Sequence, residues 1–451
     1  MLYHLVGIGG IGMSSLALHL KCEGHEVYGS NLEENERVRY LKSCGVEVFK
    51  GHNWSNWHDP DVLIMSSAVK RENPEVSRAL SEGVPVKHRM EVLNEVLKTR
   101  KTIGVTGTDG KTTTTAMVSH MLLNAGANPT VFLGGIHPML QHGNYRNGDD
   151  LTVAEIDESD GYFRDTFTLV SVVTNIRPDH LEHYDNEFSN LIRSFASFME
   201  NARTGVVIFA DEEVADIALG MMKTKFEKTR VLFFGSTQRS HIRLVDRQVH
   251  GKTQIARFNW MGKERIFQLR IPGVHNVYNA LAALGALLIL EYPVEIVESL
   301  DDFRPVERRF QLLKNDEKEN VLIEDYAHTP EEVEKTLLTA REVYGSKKLV
   351  VFFQPHRYTR LAREDGRFAN SLRHADEVHV VPIYDAYEAK INGVSEDEIV
   401  EKLRELGVKA TYHSNKWDVL DVAKSYEETV LLFLGAGDIT EVAKALLDGF
   451  W

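Results

Sequence analysis

Two glycine-rich turns constrain this chain more than any other feature. Gly7-Ile8-Gly9-Gly10-Ile11-Gly12 closes the strand candidate His4–Gly7 and precedes the helix candidate Met13–Lys21. Thr106-Gly107-Thr108-Asp109-Gly110-Lys111-Thr112-Thr113-Thr114-Thr115 follows the strand candidate Lys101–Val105 and opens the helix candidate Ala116–Leu123. A glycine turn from strand to helix aims several backbone N–H groups and the positive end of a helix at one point. Each turn is therefore a phosphate cradle, and two cradles in one chain predict two phosphate-bearing ligands.

The rest of the chain repeats the strand–helix alternation. At 451 residues it is too long for one ordinary core. Residues 1–97 place strands at Glu26–Tyr28, Glu47–Phe49, Val62–Met65 and Val84–Val86, with a helix at Val38–Cys44. Residues 98–305 restart at the second cradle, with strands at Leu151–Ile156, Leu169–Thr174, Gly205–Ala210 and Val231–Phe234. A polar, β-like section over 241–269 reads as an antiparallel addition, and an apolar helix follows at Asn276–Leu290. Residues 306–451 alternate again: strands at Val321–Asp325, Lys348–Phe353, Glu377–Pro382 and Val430–Leu434, helices at Pro330–Tyr344, Leu361–Arg373, Glu396–Leu406 and Ile439–Leu447. The pattern predicts an α/β protein of three domains. The first and third are Rossmann-like, and the central one is of P-loop type with a mostly parallel sheet.

Bulk properties exclude several classes. A net charge of −14 argues against a nucleic-acid-binding surface. Cys22 and Cys44 have no metal or redox spacing and fit a reduced compartment. The N-terminus shows no signal-peptide pattern. The longest apolar run, Ala280–Leu290, is short of the ~20 residues that span a bilayer. A soluble, cytoplasmic protein without a membrane or nucleic-acid partner is expected, as a monomer or homodimer.

The cradles differ. NAD binding expects an acid after the second strand to bond the ribose, and the chain has Asn31 there. The first loop thus reads as a site for a diphosphate other than that of NAD. In the second, Lys111 supplies a mobile cation and Thr112 a hydroxyl for Mg²⁺. A strict Walker A loop needs glycine where Val105 stands, so the run Thr106–Thr113 is the form used by ATP-dependent amide ligases. Gly107, Thr108, Asp109, Gly110, Lys111, Thr112 and Thr113 are its ATP-binding residues. Glu155 and His180 end two consecutive strand candidates, where ligand sites of α/β sheets gather. Glu155 is a hard oxygen ligand suited to Mg²⁺.

An ordered set of motifs, from residue 1 to about 440, resembles the Mur ligase family. It comprises Gly7–Ser14; Ser66-Ser67-Ala68-Val69 with Asn73-Pro74-Glu75; the phosphate loop; Asp157-Glu158-Ser159-Asp160; and Asn175-Ile176 with Asp179-His180. It continues with His275-Asn276 and Asn279-Ala280; Arg308-Arg309-Phe310; Asp325-Tyr326-Ala327-His328; Gln354-Pro355-His356-Arg357-Tyr358-Thr359-Arg360; and Gly435-Ala436-Gly437-Asp438. Within the family the set is similar to the branch that adds L-alanine to UDP-N-acetylmuramate in peptidoglycan precursor synthesis.

The resemblance implies UDP-sugar binding by Gly9, Gly10, Ile11, Gly12, Met13, Ser14, Asn31 and Ser67. It implies ATP and two Mg²⁺ ions as cofactors, with Thr112 and Glu155 on one ion and His180 helping to hold the second. It places His275 beside the adenine, Asn276 and Asn279 facing the nucleotide, and Arg309 and Asp325 reaching ATP. Arg357 and Arg360 would clasp the L-alanine carboxylate, with Tyr326 and His328 beside them. Lys111, Glu155, His180, Asn276, Asn279, Arg309 and Asp325 form the implied catalytic set.

Three positions depart from the family pattern. The usual His of the phosphate loop is Asp109, the second His after Tyr326 is Thr329, and Asn31 replaces an acid. An acid beside triphosphate repels it, so Asp109 is expected to point away or to meet a metal or a cation. The first lysine after Lys111 is Lys223, which excludes the carbamylated lysine that later-acting Mur ligases carry downstream of the Asp-His pair. The rival within the family is the recycling ligase that attaches a whole tripeptide, which lacks the Gln354–Arg360 run. A folylpolyglutamate synthetase would not have the first cradle. A dehydrogenase would not explain Lys111, and a nucleotide-binding regulator would not keep Glu155, His180, Asp325 and the arginines together.

Overall fold

The computed structural model describes residues 1–222, 229–315, 320–364, 366–386 and 388–448. Lys223 lies outside them. The chain forms a three-domain α/β fold built on three sheets. It divides into two compact units. One is Met1–Arg247 with Ala256–Gln268 and Val277–Phe303; the other is Arg304–Trp451 with Gln248–Ile255 and Leu269–Asn276. Two of the sheets therefore share a unit.

The first sheet is wholly parallel. Its strands are β1 (Leu2–Val6), β2 (Glu26–Asn31), β3 (Glu47–Lys50), β4 (Val62–Met65) and β5 (Val86–His88), in the order β3-β2-β1-β4-β5. The strand order reverses at β1, so a crevice opens at its carboxyl end between β2 and β4, where the Gly7–Gly12 turn lies.

The second sheet has ten strands. They are β6 (Lys101–Thr106), β7 (Pro129–Phe132), β8 (Tyr145–Arg146), β9 (Asp149–Glu155), β10 (Thr168–Val173), β11 (Ala202–Phe209), β12 (Arg230–Gly235), β13 (Ile242–His250), β14 (Thr253–Trp260) and β15 (Lys263–Leu269). Their order is β15-β14-β13-β12-β11-β10-β6-β9-β7-β8. β6 pairs in parallel with both β9 and β10. The loop after β6 thus emerges between the ends of those two strands, which carry Glu155 and Thr174. The polar section over 241–269 is the expected addition, but it joins in an unexpected way: β13 runs parallel to β12. β13, β14 and β15 then follow one another through two-residue connections, which only antiparallel neighbours permit.

The third sheet comprises β16 (Gln311–Asn315), β17 (Val321–Asp325), β18 (Lys348–Phe353), β19 (Glu377–Val380), β20 (Lys409–Tyr412) and β21 (Thr429–Leu434), in the order β16-β17-β21-β18-β19-β20. Only β16 is antiparallel. The single helix expected over Leu361–Arg373 is two, Tyr358–Glu364 and Arg367–Leu372, because Gly366 takes φ +79° and turns the backbone left-handed between them. Thr329 caps Pro330–Tyr344 in a reciprocal capping box with Glu332, which gives the departure from histidine a local purpose. No helix among the described residues is long and apolar enough to cross a membrane.

The strands are apolar because both faces are covered. Leu5, Ile8, Leu16 and Ile64 in the first sheet region and Ala154, Val173, Phe195 and Phe198 in the second belong to one buried cluster. In the third sheet, Ile323, Val351, Phe353 and Leu432 fill one face, and Leu322, Phe352, Leu431 and Phe433 the other. Period-two alternation within a strand sends neighbours to opposite helical layers.

One carboxylate organises the first sheet. Glu75 is buried and accepts from His4 Nε2 (2.9 Å), Ser30 Oγ (2.5 Å), Asn53 N (3.0 Å) and Asn56 Nδ2 (2.6 Å). Burial raises its proton affinity, but bonds from His4, His52 and Ser30 outweigh that and hold the carboxyl far below the usual range. The ionised form therefore stabilises the fold above about pH 4.3, where the unfolded chain also ionises, and the contribution fades as pH falls further. Glu75→Ala is expected to cost about 3–5 kcal/mol, as loss of one partner from a buried polar set does. Calorimetry of the full chain checks this. Glu75→Gln should lose less Tm than the native protein between pH 4.3 and 3, and parallel Tm curves would refute the assignment.

Candidate active site

The phosphate loop is built by exclusion and then clamped. Gly107 has φ +132° and Gly110 φ +83°. A Cβ at Gly107 would stand 2.1 Å from Thr174 Oγ1, and one at Gly110 would stand 2.4 Å from Asn279 Oδ1. The segment leaving β10 holds the loop backbone. Thr174 Oγ1 (2.5 Å) and Asn175 Nδ2 (3.0 Å) donate to the Asp109 carbonyl. Asn175 Oδ1 accepts from Asp109 N at 3.0 Å, and the Asn175 carbonyl accepts from Thr108 N at 3.2 Å. The helix Lys111–Asn124 starts on Gly110 with no side-chain cap, which leaves its first-turn N–H groups available to an anion. Thr113 is buried in that first turn.

Lys111 folds back across the loop. Its Nζ donates to the carbonyls of Gly107 (2.7 Å) and Thr108 (3.0 Å) and lies 2.8 Å from Glu158 Oε2. Burial disfavours the ammonium, but Glu158, Asp157 and Glu155 outweigh burial and raise its proton affinity. Burial pushes the Glu158 carboxyl up to about 7 against the pull of Lys111. The cation is thus parked on a carboxylate that is only half ionised near neutrality.

Thr112 Oγ1 donates to Glu155 Oε1 at 2.9 Å, and Gly134 N donates to Glu155 Oε2 at 2.7 Å. A hydroxyl and a carboxylate side by side at a phosphate loop fit Mg²⁺, which takes one or two protein oxygens and fills its octahedron with phosphate oxygens and water. Among the described residues no three His, Cys, Asp or Glu side chains form a metal cluster. His180 takes φ +52° and sits 3.5 Å from Asp179 Oδ2 and 3.8 Å from Glu182 Oε1. Asn276 Nδ2 donates to the Pro272 carbonyl at 2.6 Å, and His275 neighbours Gly273.

The first cradle is tied to the second sheet. Gly10 starts the helix Ile11–Cys22 with no side-chain cap. Asn31 Oδ1 accepts from Gly9 N at 3.1 Å, so this side chain braces the loop. Met13 is buried, which leaves its backbone as the part a ligand can meet. Ser14 Oγ (2.9 Å) and the Ile11 carbonyl (2.7 Å) accept from Asn144 Nδ2, and Arg37 Nη2 donates to Asn144 Oδ1 at 2.5 Å. Ser67 Oγ lies 3.0 Å from both His88 Nε2 and Asp160 Oδ2. Arg89 packs against Gly12, where a Cβ would meet its Nη1 at 2.5 Å, and lies 3.7 Å from Asp157. The two cradles are thereby linked through the Asp157–Asp160 run.

The third sheet carries a separate cationic cluster at the carboxyl ends of β17, β18 and β21. Arg308 Nη2 donates to the carbonyls of Gly435 (2.7 Å) and Gly437 (3.1 Å), and its guanidinium, like that of Arg309, lies over the Tyr326 ring. Asp325 accepts from Phe310 N (2.6 Å) and Ala327 N (2.7 Å), and burial raises its carboxyl to about 6 against Arg309 and these amides. His328 Nδ1 lies 3.1 Å from Glu332, and Arg309 lies 3.6 Å from the same carboxylate. Burial, His328 and the neighbouring arginines push His356 down to about 2, so its neutral Nδ1 accepts from Arg360 Nη1 at 3.2 Å. Arg357 takes φ +69°, a left-handed conformation costly for a long side chain. Arg308, Arg309, Arg357 and Arg360 gather four guanidinium groups here, with Glu324, Glu332 and Glu388 beside the first three.

Sequence reasoning missed Arg89, Arg177 and Glu332 as parts of these sites. The Thr329-x-x-Glu332 spacing of a capping box was a usable signal for Glu332. Arg89 and Arg177 have no local signature, since their partners lie 68 residues away in each case.

Comparison with known proteins agrees with the three-sheet fold. The chain matches the Mur ligase family catalytic domain over residues 2–101, the Mur ligase middle domain over 105–287 and the Mur ligase glutamate ligase domain over 308–437. It is 43% identical over 458 aligned residues to UDP-N-acetylmuramate–L-alanine ligase of Thermotoga petrophila, covering 100% of this chain and 97% of that one. The crystal structure of UDP-N-acetylmuramate–alanine ligase from Thermotoga maritima superposes with a TM-score of 0.88 at 40% identity, over 100% of this chain and 99% of that one. A murein peptide ligase from Psychrobacter arcticus shares the fold at a TM-score of 0.73 and 20% identity, over 99% and 98% of the two chains.

The Lys111–Glu158 pair is expected to make nucleotide affinity depend on pH. Below about pH 7 Glu158 takes up a proton and releases the ammonium, so affinity rises toward acid. Titration calorimetry with a non-hydrolysable ATP analogue and Mg²⁺ is expected to show tighter binding at pH 6.5 than at 8.5. In Glu158→Gln this difference should shrink to the nucleotide's own titration. An unchanged difference would exclude the pairing as its cause.

Proposed function

This chain belongs to the Mur ligase family, and from that premise we propose that it joins L-alanine to the lactyl carboxylate of UDP-N-acetylmuramate at the expense of ATP. The observation that carries this is Lys111 with the Thr112–Glu155 oxygen pair at the mouth of a phosphate loop. It stands in a chain 43% identical over its whole length to L-alanine ligases. The domain assignment we propose is UDP-sugar binding in 1–97, ATP binding in 98–305 and amino-acid binding in 306–451. A cytoplasmic location follows from the same reading, since nucleotide sugars and ATP are found there.

The chemistry explains the need for ATP. A carboxylate acylates poorly because its leaving group would be oxide. Transfer of the γ-phosphoryl group to the lactyl carboxylate makes an acyl phosphate and releases ADP. The neutral amine of L-alanine then attacks the acyl carbon, and the tetrahedral intermediate expels phosphate to leave the amide. Little covalent work falls to the protein; its task is positioning and charge neutralisation. Lys111 leaves Glu158 to follow charge on the transferred group, and the first-turn amides of Lys111–Asn124 hold the phosphates. Thr112 and Glu155 would hold Mg²⁺, which would supply charge neutralisation for the transferred group, and His180 would help to hold a second ion. Arg357 and Arg360 present planar donors to the amino-acid carboxylate.

The recycling tripeptide ligase is the alternative, and one assay separates the two. Phosphate release from ATP and UDP-N-acetylmuramate is measured with L-alanine, glycine, L-serine or tripeptide. Turnover is expected with L-alanine, and turnover with tripeptide alone would overturn the assignment. Lys111→Ala should reduce phosphate release at least 10³-fold, the scale of losing a main charge contact in phosphoryl transfer. UDP-sugar affinity in that variant should stay near native; loss of both would contradict the assignment of a separate ligand to each cradle.

A further inference from the structure

Position 109 puts a carboxylate in the phosphate loop, one residue before the glycine that starts the helix. Alone, that charge would oppose a triphosphate bound to the loop amides. The fold supplies a counter-charge from the segment after β10. Arg177 Nη1 donates to Asp109 Oδ2 at 3.0 Å, and the Asp109 side chain is only 13% exposed. Arg177 Nη2 reaches Glu212 Oε1 at 3.4 Å, which fixes the guanidinium from its other side. The backbone of Arg177 is fastened to the loop as well: its N–H donates to Thr108 Oγ1 at 2.9 Å, and its carbonyl accepts from the same hydroxyl at 3.3 Å.

We propose that Arg177 is a positioning residue for the nucleotide. It neutralises Asp109 and draws that carboxylate toward the segment after β10, so that the loop keeps its positive potential. Arg177 acts through Asp109 and does not itself touch the phosphates. The inference rests on the loop binding ATP, and it does not depend on which acid or amine is joined. Thr174, Asn175 and Arg177 then form one clamp: the first two hold the Asp109 backbone and the third holds its charge.

A charge-swap cycle on the full chain tests this, read by titration calorimetry with a non-hydrolysable ATP analogue and Mg²⁺. Arg177→Ala should weaken analogue binding about tenfold, the scale of one unscreened charge near a phosphate. Arg177→Lys should weaken it less. Adding Asp109→Asn to Arg177→Ala should bring binding back to within about threefold of native, because the charge to be neutralised is gone. Asp109→Asn alone should tighten binding about threefold, since one negative charge beside the loop is removed while Arg177 stays in place. Binding of UDP-N-acetylmuramate should change in none of them.

The proposal is overturned if Arg177→Ala binds the analogue like the native protein, or if the double variant is as weak as the single. It is also overturned if Asp109→Asn alone binds more weakly, a result that stands even if Arg177→Ala does not fold. A native protein that binds the analogue yet releases no phosphate with UDP-N-acetylmuramate and L-alanine would refute the proposed reaction and leave this inference intact.

Discussion

The loop after β6 survives in its shape because two sets of atoms press on it from opposite sides. The segment leaving β10 brings Thr174 and Asn175 against Gly107 and Asp109, and Asn279 stands against Gly110. No side chain fits at either glycine, so the backbone itself becomes the ligand-facing surface. The parallel register makes this contact possible. β6 lies between β9 and β10, so their carboxyl ends deliver Glu155 on one flank and Thr174 on the other. A change of strand order would leave the same residues without a common site.

Charge is handled differently at each of the buried carboxylates. Glu75 has enough donors to stay ionised inside the first sheet, and it contributes order there. Glu158 has Lys111 but little solvation, so its proton is easily regained. Asp325 accepts two backbone amides and still takes up a proton more readily than an exposed acid, because burial dominates. The first fits a structural group. The other two are the kind of perturbed carboxyl found where a site must exchange charge with a ligand.

The alternation of strands and helices was legible from residue type alone, because buried parallel strands leave apolar runs and the turns leave glycine. Both cradles, Glu155 and the arginine-bearing third region were legible for the same reason: each lies within a few residues of a strand end. The break at Gly366 was not, since one glycine inside a helical pattern is compatible with a continuous helix or a stop. Nor was the parallel join of β13 to β12, because polar strands carry no mark of their neighbour's direction. Asn31 stands where an acid would bond a ribose, and the structure occupies its side-chain oxygen with the Gly9 amide.

Local sequence determined where phosphates could be held, because glycine, lysine and threonine act through the few residues around them. It also raised the question of Asp109, an acid in a place that favours cations. Only the tertiary structure supplied the answer, since Arg177 is 68 residues away and reaches Asp109 through the pairing of β6 with β10. The same holds for Arg89 beside Gly12 and for Lys111 on Glu158. Short-range geometry is written in adjacent residues, whereas the partner of a charge is set by which strands lie side by side.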